Sequence, residues 1–397
     1  MTRALLVLCL LGFGCTYDPP RRSADWYENP EAYADQSRTH PDRERFQEYL
    51  DAAVRDGLPG AVLLVRTPGS GTWVGAAGYA DLANDVRWQP SMIGRVGSIT
   101  KTFAAAVVLK LFEEREVSLD ARAGSWLPKE IRSEIANSDS ASVSQMLHHT
   151  SGIYDYLSST QLILQAIGSY DFEYHSKEEL LEYAYGKDAE YRPGEGWNYS
   201  ETNFLLLESI AERLSGSDSE ELLDSLVISE LGLRSTFYAP SAPLPKGLVR
   251  GYADLFGDER LVDVTDTNID RFHYDGGVIS NVYELADFFE ALLTSEYLSD
   301  AARAQLLDPV PTRGHSERGT DNYGCGIILE EHPEFGRVWG HSGTTTGFSA
   351  HVYHLEDSGV TFAAIVNASQ KTLERRSYDW FSPLKRDQIL RLVTGTQ

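Results

Sequence analysis

The chain predicts an α+β fold: an antiparallel β-sheet flanked by helices, with an inserted, mainly helical lobe. Three observations lead there. β-Prone runs lie near both ends of the body, amphipathic stretches at helical spacing fill the middle, and Gly- and Pro-rich turns separate the strands. The first element is a helix, because Phe46, Tyr49, Leu50, Ala53 and Val54 recur on one face and Gly57-Leu58-Pro59-Gly60 stops it. Ala61 to Arg66 and Trp73 to Tyr79 flank Pro68-Gly69-Ser70-Gly71 and read as a hairpin. A long helix extends from Ser98 to about Arg115. Residues 120–300 are mainly helix and loop, clearest at Phe204 to Leu214 and Val282 to Leu293. Strands return at Tyr323 to Leu329, Arg337 to Gly340, Phe348 to His354 and Val360 to Val366. A last helix, Pro383 to Val393, is capped by Ser382 with proline in its first turn. No internal repeat or low-complexity run interrupts this order.

Bulk composition narrows the partners. The 397 residues carry 59 Asp and Glu against 35 Lys and Arg, a formal charge of -24, and no cluster of basic residues. Such a chain repels phosphate backbones, so nucleic-acid binding is not expected. Of three cysteines, Cys9 and Cys15 lie at the start and Cys325 stands alone in the body, which excludes a disulfide framework and a cysteine zinc site. The ten histidines form no His-x-x-x-His pair, so neither a metal nor another cofactor is expected.

Three segments are expected. Residues 1–15 join Arg3, the apolar run Ala4 to Leu11 and Gly14-Cys15, and read as a signal peptide of lipoprotein type with Cys15 as the lipidated residue. Leucine stands at position 11 rather than three places before the cysteine, so an ordinary secretory signal is the alternative. Both imply export, to the bacterial cell envelope or periplasm, with the membrane reached only through the lipid anchor. Residues 16–40 are polar and read as a linker, and residues 41–394 form the folded domain.

The chemistry centres on Gly97-Ser98-Ile99-Thr100-Lys101, which opens a helix apolar almost all round. A helix start presents free N–H groups and partial positive charge. Lys101 lies one turn after Ser98, on the same face. A serine hydroxyl needs a base to become a nucleophile, and a desolvated lysine can be that base. Ser-x-x-Lys alone is weak, with about one or two expected by chance in a chain this long. A second copy, Ser382-Pro383-Leu384-Lys385, reads better as a helix cap.

Ser98 is distinguished by three downstream motifs in order: His148-His149-Thr150-Ser151-Gly152, Tyr199-Ser200-Glu201 and His341-Ser342-Gly343-Thr344. This set resembles the serine β-lactamase and penicillin-binding-protein-like family, on its class C β-lactamase, D-alanyl-D-alanine carboxypeptidase and esterase branch, over roughly residues 40–394. The resemblance implies the β-lactamase/transpeptidase-like fold and an acyl-enzyme hydrolase acting on a D-amino-acid peptide, a β-lactam or an ester. It implies Ser98 as nucleophile, Lys101 and Tyr199 as proton shuttles, and the N–H groups of Ser98 and Thr344 as oxyanion hole. Glu201, His341, Ser342 and Gly343 become substrate-binding residues, with His341 on an edge strand facing a small-molecule or peptidoglycan-derived peptide substrate.

Two positions depart from the family pattern. Glu201 replaces the usual Asn, and a carboxylate cannot donate to a substrate carbonyl. It either accepts from a substrate amine or pairs with Lys101, which would oppose that lysine's role as base. His341 replaces lysine and attracts a carboxylate less strongly, which weighs against a dedicated β-lactamase. A non-catalytic envelope or penicillin-binding protein retaining the fold is the alternative function. His148 and His149 read as buttresses of the Thr150-Ser151-Gly152 loop, and nothing in the sequence places Arg95, His315 or Tyr323 at a pocket.

Overall fold

The computed structural model describes residues 22–27, 33, 37–162, 175–238, 243–255, 257–266, 272–312, 322–369 and 383–395. The predicted hairpin forms β1 (Gly60–Thr67) and β2 (Gly71–Asp81), with the short β3 (Val86–Arg87) after it. Two small ribbons come next, β4 (Gly94–Arg95) with β7 (Ile279–Ser280), and β5 (Tyr252–Ala253) with β6 (Val262–Asp263). The late strands are β8 (Val310–Pro311), β9 (Asn322–Tyr323), β10 (Ile328–His332), β11 (Gly336–Thr344), β12 (Ser349–Leu355) and β13 (Val360–Val366).

The main sheet has nine antiparallel strands in the order β3-β2-β1-β13-β12-β11-β10-β9-β8. The first and last long strands are therefore neighbours, with Val62 opposite both Ala76 and Ile365. The lobe between β3 and β8 contributes no strand to this sheet among the described residues. This is the α+β architecture read from the sequence.

Both faces of the sheet are covered, so β1 is apolar without interruption. Its alternate residues still sort by face. Ala61, Leu63 and Val65 pack with Phe46, Leu50 and Ala53 of helix α1 (Arg43–Arg55). Val62 and Leu64 join the larger core on the other side. That core holds helices α2 (Thr100–Glu114), α3 (Glu201–Ser215) and α4 (Val282–Thr294). Twelve of the 15 residues of α2 are buried, and Phe103 stacks on Phe288 of α4 with centroids 3.7 Å apart. Helix α5 (Pro383–Thr394) closes the first face through Ile389 and Leu390. No described helix is long and apolar enough to cross a membrane.

The structure differs from the sequence reading in three places. The strand expected over Tyr323 to Leu329 is two strands, because Gly324 N donates to Ile327 O at 2.7 Å and turns the chain. The turn is pinned by α2, whose Thr102 Oγ1 donates to Gly326 O at 2.7 Å. The long helix does not begin at Ser98: Gly97–Ile99 form a 3-10 turn ahead of α2.

The third difference lies in the expected linker. Among its described residues, Arg22 pairs with Asp266 at 2.7 Å, and Tyr27 Oη donates to Asp81 Oδ2 at 2.7 Å. Tyr33 stacks on Tyr283 with centroids 4.4 Å apart and donates to Ser235 Oγ. These residues dock on the body rather than hang from it. Trp26, Tyr27 and Tyr33 each combine an apolar face with a polar tip, which lets a polar segment bind without a core of its own. The segment expected to be a signal peptide, residues 1–15 with Cys15, lies outside the described residues, as do His315 and Ser382.

Candidate active site

Ser98 sits where the end of β11 crosses the turn before α2. Gly97 has φ +54, and a Cβ there would stand 2.7 Å from Thr344 N. A Cβ on Gly343 would fall 1.9 Å from Val96 O and 2.7 Å from Ser98 N. Two glycines thus allow the backbones of Ser98 and Thr344 to lie side by side. Between Met92 and Leu109 every residue is buried except Ser98, which keeps partial exposure. Ser98 is therefore the one residue of that stretch left partly open to solvent.

Lys101 is wholly buried. Its Nζ donates to Ser98 Oγ at 3.2 Å and to Asp275 O at 2.5 Å, and it forms an ion pair with Glu201 Oε2. A buried ammonium needs such partners. The same nitrogen stands 5.1 Å from the Tyr199 ring centroid and 5.5 Å from that of Phe204. Ser98, Lys101, Tyr199 and Glu201 are thus gathered around one nitrogen. Of the two sequence readings of Glu201, the structure has the pairing with Lys101.

The site is rich in carboxyl groups. Glu201 N donates to Asp155 Oδ1 at 3.1 Å, and Tyr156 Oη donates to Asp275 Oδ2 at 2.6 Å. Burial pushes the Glu201 carboxyl up to about 7; Lys101 pulls it down, and the charges of Asp275 and Asp155 push it up again. Burial likewise raises Asp155 to about 6, against the N–H groups of Glu201 and Leu157 and the charge of Lys101.

His149 holds Tyr199 from both sides. Asn198 N donates to His149 O at 3.1 Å, and Ser200 N donates to His149 Nδ1 at 3.1 Å. The imidazole lies against the Tyr199 ring with centroids 4.2 Å apart. His149 is fully buried and takes φ 59, a left-handed backbone rare for a residue with a side chain. Because Nδ1 accepts from a backbone N–H, the neutral ring carries its hydrogen on Nε2. Burial holds its pKa well below the ordinary value, and the charge of Lys101 adds to that. His148, by contrast, bridges the carbonyls of Ser144 at 2.7 Å and Asp308 at 3.0 Å.

His341 departs from the expected substrate-facing edge. β11 is interior to the sheet, but its pairing with β10 ends at Gly340, so among the described residues β12 is the one strand paired with His341 to Thr344, and the turn carrying Ser98 packs against Gly343 and Thr344. The ring is fully buried, with Nδ1 2.6 Å from Ser342 O and Nε2 2.9 Å from Tyr323 Oη. A carbonyl only accepts, so Nδ1 carries the hydrogen and the Nε2 of the neutral ring accepts from Tyr323. Both ring nitrogens are turned to the protein. Ser342 is also buried, and Gly343 supplies the close backbone approach described above.

Sequence reasoning does not find Asp155, Tyr156 or Asp275. Asp275 acts on Lys101 through its carbonyl, which no side-chain pattern signals; the adjacent Gly276-Gly277 is the one cue to a tight turn. Tyr323 is placed on His341, whereas Arg95 is buried in β4. Cys325 is buried in the turn between β9 and β10, with its Sγ 3.2 Å from Gln305 O. Among the described residues no group of three His, Cys, Asp or Glu side chains is arranged to hold a metal.

A lysine-paired serine at a helix start, opposite a tyrosine and a glycine-bearing strand, defines the serine hydrolase class with a Ser-Lys pair. Comparison with known proteins gives the family. The sequence model described as Beta-lactamase matches residues 43–382, and the chain belongs to that family of serine hydrolases. A penicillin-binding protein of Bacillus subtilis (strain 168) is 24% identical over 305 residues, covering 74% of this chain and 65% of the relative. Esterase EstB of Burkholderia gladioli is 29% identical over 206 residues, covering 50% of this chain and 52% of the relative. The chain therefore spans about half to two thirds of the length of these relatives. Among solved structures, a D-stereospecific amidohydrolase from Streptomyces sp. superimposes with a TM-score of 0.77 at 30% identity, covering 90% of this chain and 100% of that one.

Proposed function

We propose that this protein is an exported serine hydrolase that works through an acyl-enzyme on Ser98, with an amide, peptide or ester of a D-amino acid as substrate. The observation that carries the reading is the partly exposed Ser98, whose hydroxyl lies 3.2 Å from the buried Lys101 amine. Ser98 Oγ attacks the carbonyl as its proton passes to Lys101, and Tyr199 relays a proton to the leaving group. The N–H groups of Ser98 and Thr344, side by side across Gly97 and Gly343, receive the developing oxyanion. Water then attacks the ester carbon and regenerates Ser98. The D-amino-acid substrate is supported by the likeness to the D-stereospecific amidohydrolase. Export to the cell envelope, with Cys15 lipidated, is supported by Arg3 and the apolar run Ala4 to Leu11.

A fluorophosphonate probe and a fluorescent penicillin test the reading. Covalent labelling by the first, lost in Ser98→Ala, is the expected result. The Lys101–Glu201 pair favours a second reading, a non-catalytic binding protein, since a charged lysine takes no proton. Absence of labelling by both probes, together with no ester hydrolysis, selects that second reading. Penicillin labelling without turnover selects a penicillin-binding peptidase or sensor of peptidoglycan-derived peptides.

A further inference from the structure

Lys101 Nζ lies within hydrogen-bond reach of both Ser98 Oγ and Glu201 Oε2, so the carboxylate and the nucleophile share one nitrogen. The two ends of the ion pair differ in access. Lys101 is 0% exposed, whereas the Glu201 side chain retains 12% of its surface. Oε2 is buried against Lys101, so the open part of the Glu201 side chain lies on its other atoms. Around that single ammonium stand three carboxyl groups, Glu201, Asp155 and Asp275, the last already accepting from Tyr156. The charge balance has room for a second cation.

We propose that Glu201 is a subsite for a substrate ammonium. The protein is then selective for amides and esters whose acyl part carries a free amine, and the arriving ammonium releases Lys101 to act as base. This rests on the Ser98 reading above. Covalent geometry allows it: an α-amine stands about 2.5 Å from the carbonyl carbon that Ser98 attacks. With the substrate ammonium on Glu201, Lys101 loses its anion and gains a cationic neighbour, and both changes favour its neutral form. Lys101 gives its extra proton to solvent. It then takes the Oγ proton as the Oγ–C bond forms, and that proton goes to the leaving group as the C–N or C–O bond breaks. A substrate without the amine meets a lysine still tied to Glu201.

The test compares wild type, Glu201→Gln and Glu201→Asp in two assays. The first is hydrolysis of alanine p-nitroanilide, in both configurations, against its N-acetyl derivative. Wild type and Glu201→Asp prefer the free amine, and Glu201→Gln loses about 10- to 100-fold of that preference, as expected for a charge-assisted hydrogen bond. The second is the rate of Ser98 labelling by a neutral fluorophosphonate with and without ethylammonium, which requires no turnover. Ethylammonium accelerates labelling of wild type and leaves Glu201→Gln unchanged. Labelling that ethylammonium does not alter in wild type, or an amine preference equal in wild type and Glu201→Gln, overturns the proposal while leaving the Ser98 reading standing. Absence of labelling in wild type under all conditions instead removes the Ser98 reading itself.

Discussion

Replacing His149 with alanine removes three supports of Tyr199 at once. Ser200 N loses its acceptor, the imidazole face 4.2 Å from the Tyr199 ring disappears, and a non-glycine residue remains at φ 59 without a polar side chain to favour it. A buried N–H left without a partner costs about 1–3 kcal/mol. The cavity left by the ring adds to this, for a total of roughly 3–5 kcal/mol. The kinetic effect is separate, because a 1 Å displacement of a proton-relaying group costs about 100-fold in rate. Asparagine is the informative control. Its Oδ1 can accept from Ser200 N, and asparagine tolerates the left-handed backbone. The assay pairs urea unfolding with ester hydrolysis, separating kcat from KM. His149→Ala is expected to lose about 100-fold in kcat with KM little changed, and His149→Asn to recover most of the stability and part of the rate. A folded His149→Ala enzyme with kcat within twofold of wild type refutes the positioning role. So does a His149→Asn variant as unstable as the alanine.

The same geometry sets three other expectations. Gly343→Ala places a Cβ 1.9 Å from Val96 O, so β11 must draw away from Ser98; loss of at least about 100-fold in kcat with a cooperative unfolding transition is expected. Glu208 accepts from Ser219 and Tyr238 and pairs with His273 at 3.3 Å. Burial alone would lower the His273 pKa, but the Glu208 carboxylate outweighs it and holds the pKa above 6.5. A raised histidine pKa gives stability that is full below the unfolded value and lost as pH rises through the folded one. Thermal unfolding of wild type should therefore shift to lower temperature as pH rises above 6.5, and His273→Gln should flatten that limb. Cys325 is buried and its thiol is pushed up by burial, so a thiol reagent should label it only on unfolding; rapid labelling of the native protein contradicts the packing.

Legibility in the sequence tracks the strongest periodic signals. β1 and β2 are readable because β-branched and aromatic runs flank a Pro-Gly turn, and α2 because an all-apolar helix has to be buried. The split between β9 and β10 is not readable, since Gly-Cys-Gly suits a strand or a turn and the choice is made by Thr102, far away in sequence. The docking of Tyr27 and Tyr33 is hidden by the polar residues around them, which dominate composition but not contact. At the site, Ser98 and Lys101 are linked by helical spacing alone, and Glu201 succeeds Tyr199 at the start of α3, so the cluster is visible as a set. His149 reads from sequence only as a loop buttress, because its left-handed backbone and its hold on both neighbours of Tyr199 exist only in three dimensions. His341 carries the opposite error: its place on a glycine-bearing strand suggests a ring open to substrate, and Tyr323, 18 residues away, occupies its Nε2.

The proposed chemistry rests on Ser98 as the nucleophile. The most direct measurement is peptide mapping by mass spectrometry after reaction with a fluorophosphonate, comparing the peptides that hold Ser98 and Ser382. One adduct on Ser98, slowed about 100-fold or more in Lys101→Ala and absent from Ser98→Ala, is the predicted result. An adduct on Ser382 or another serine, or labelling that survives Ser98→Ala, contradicts the account.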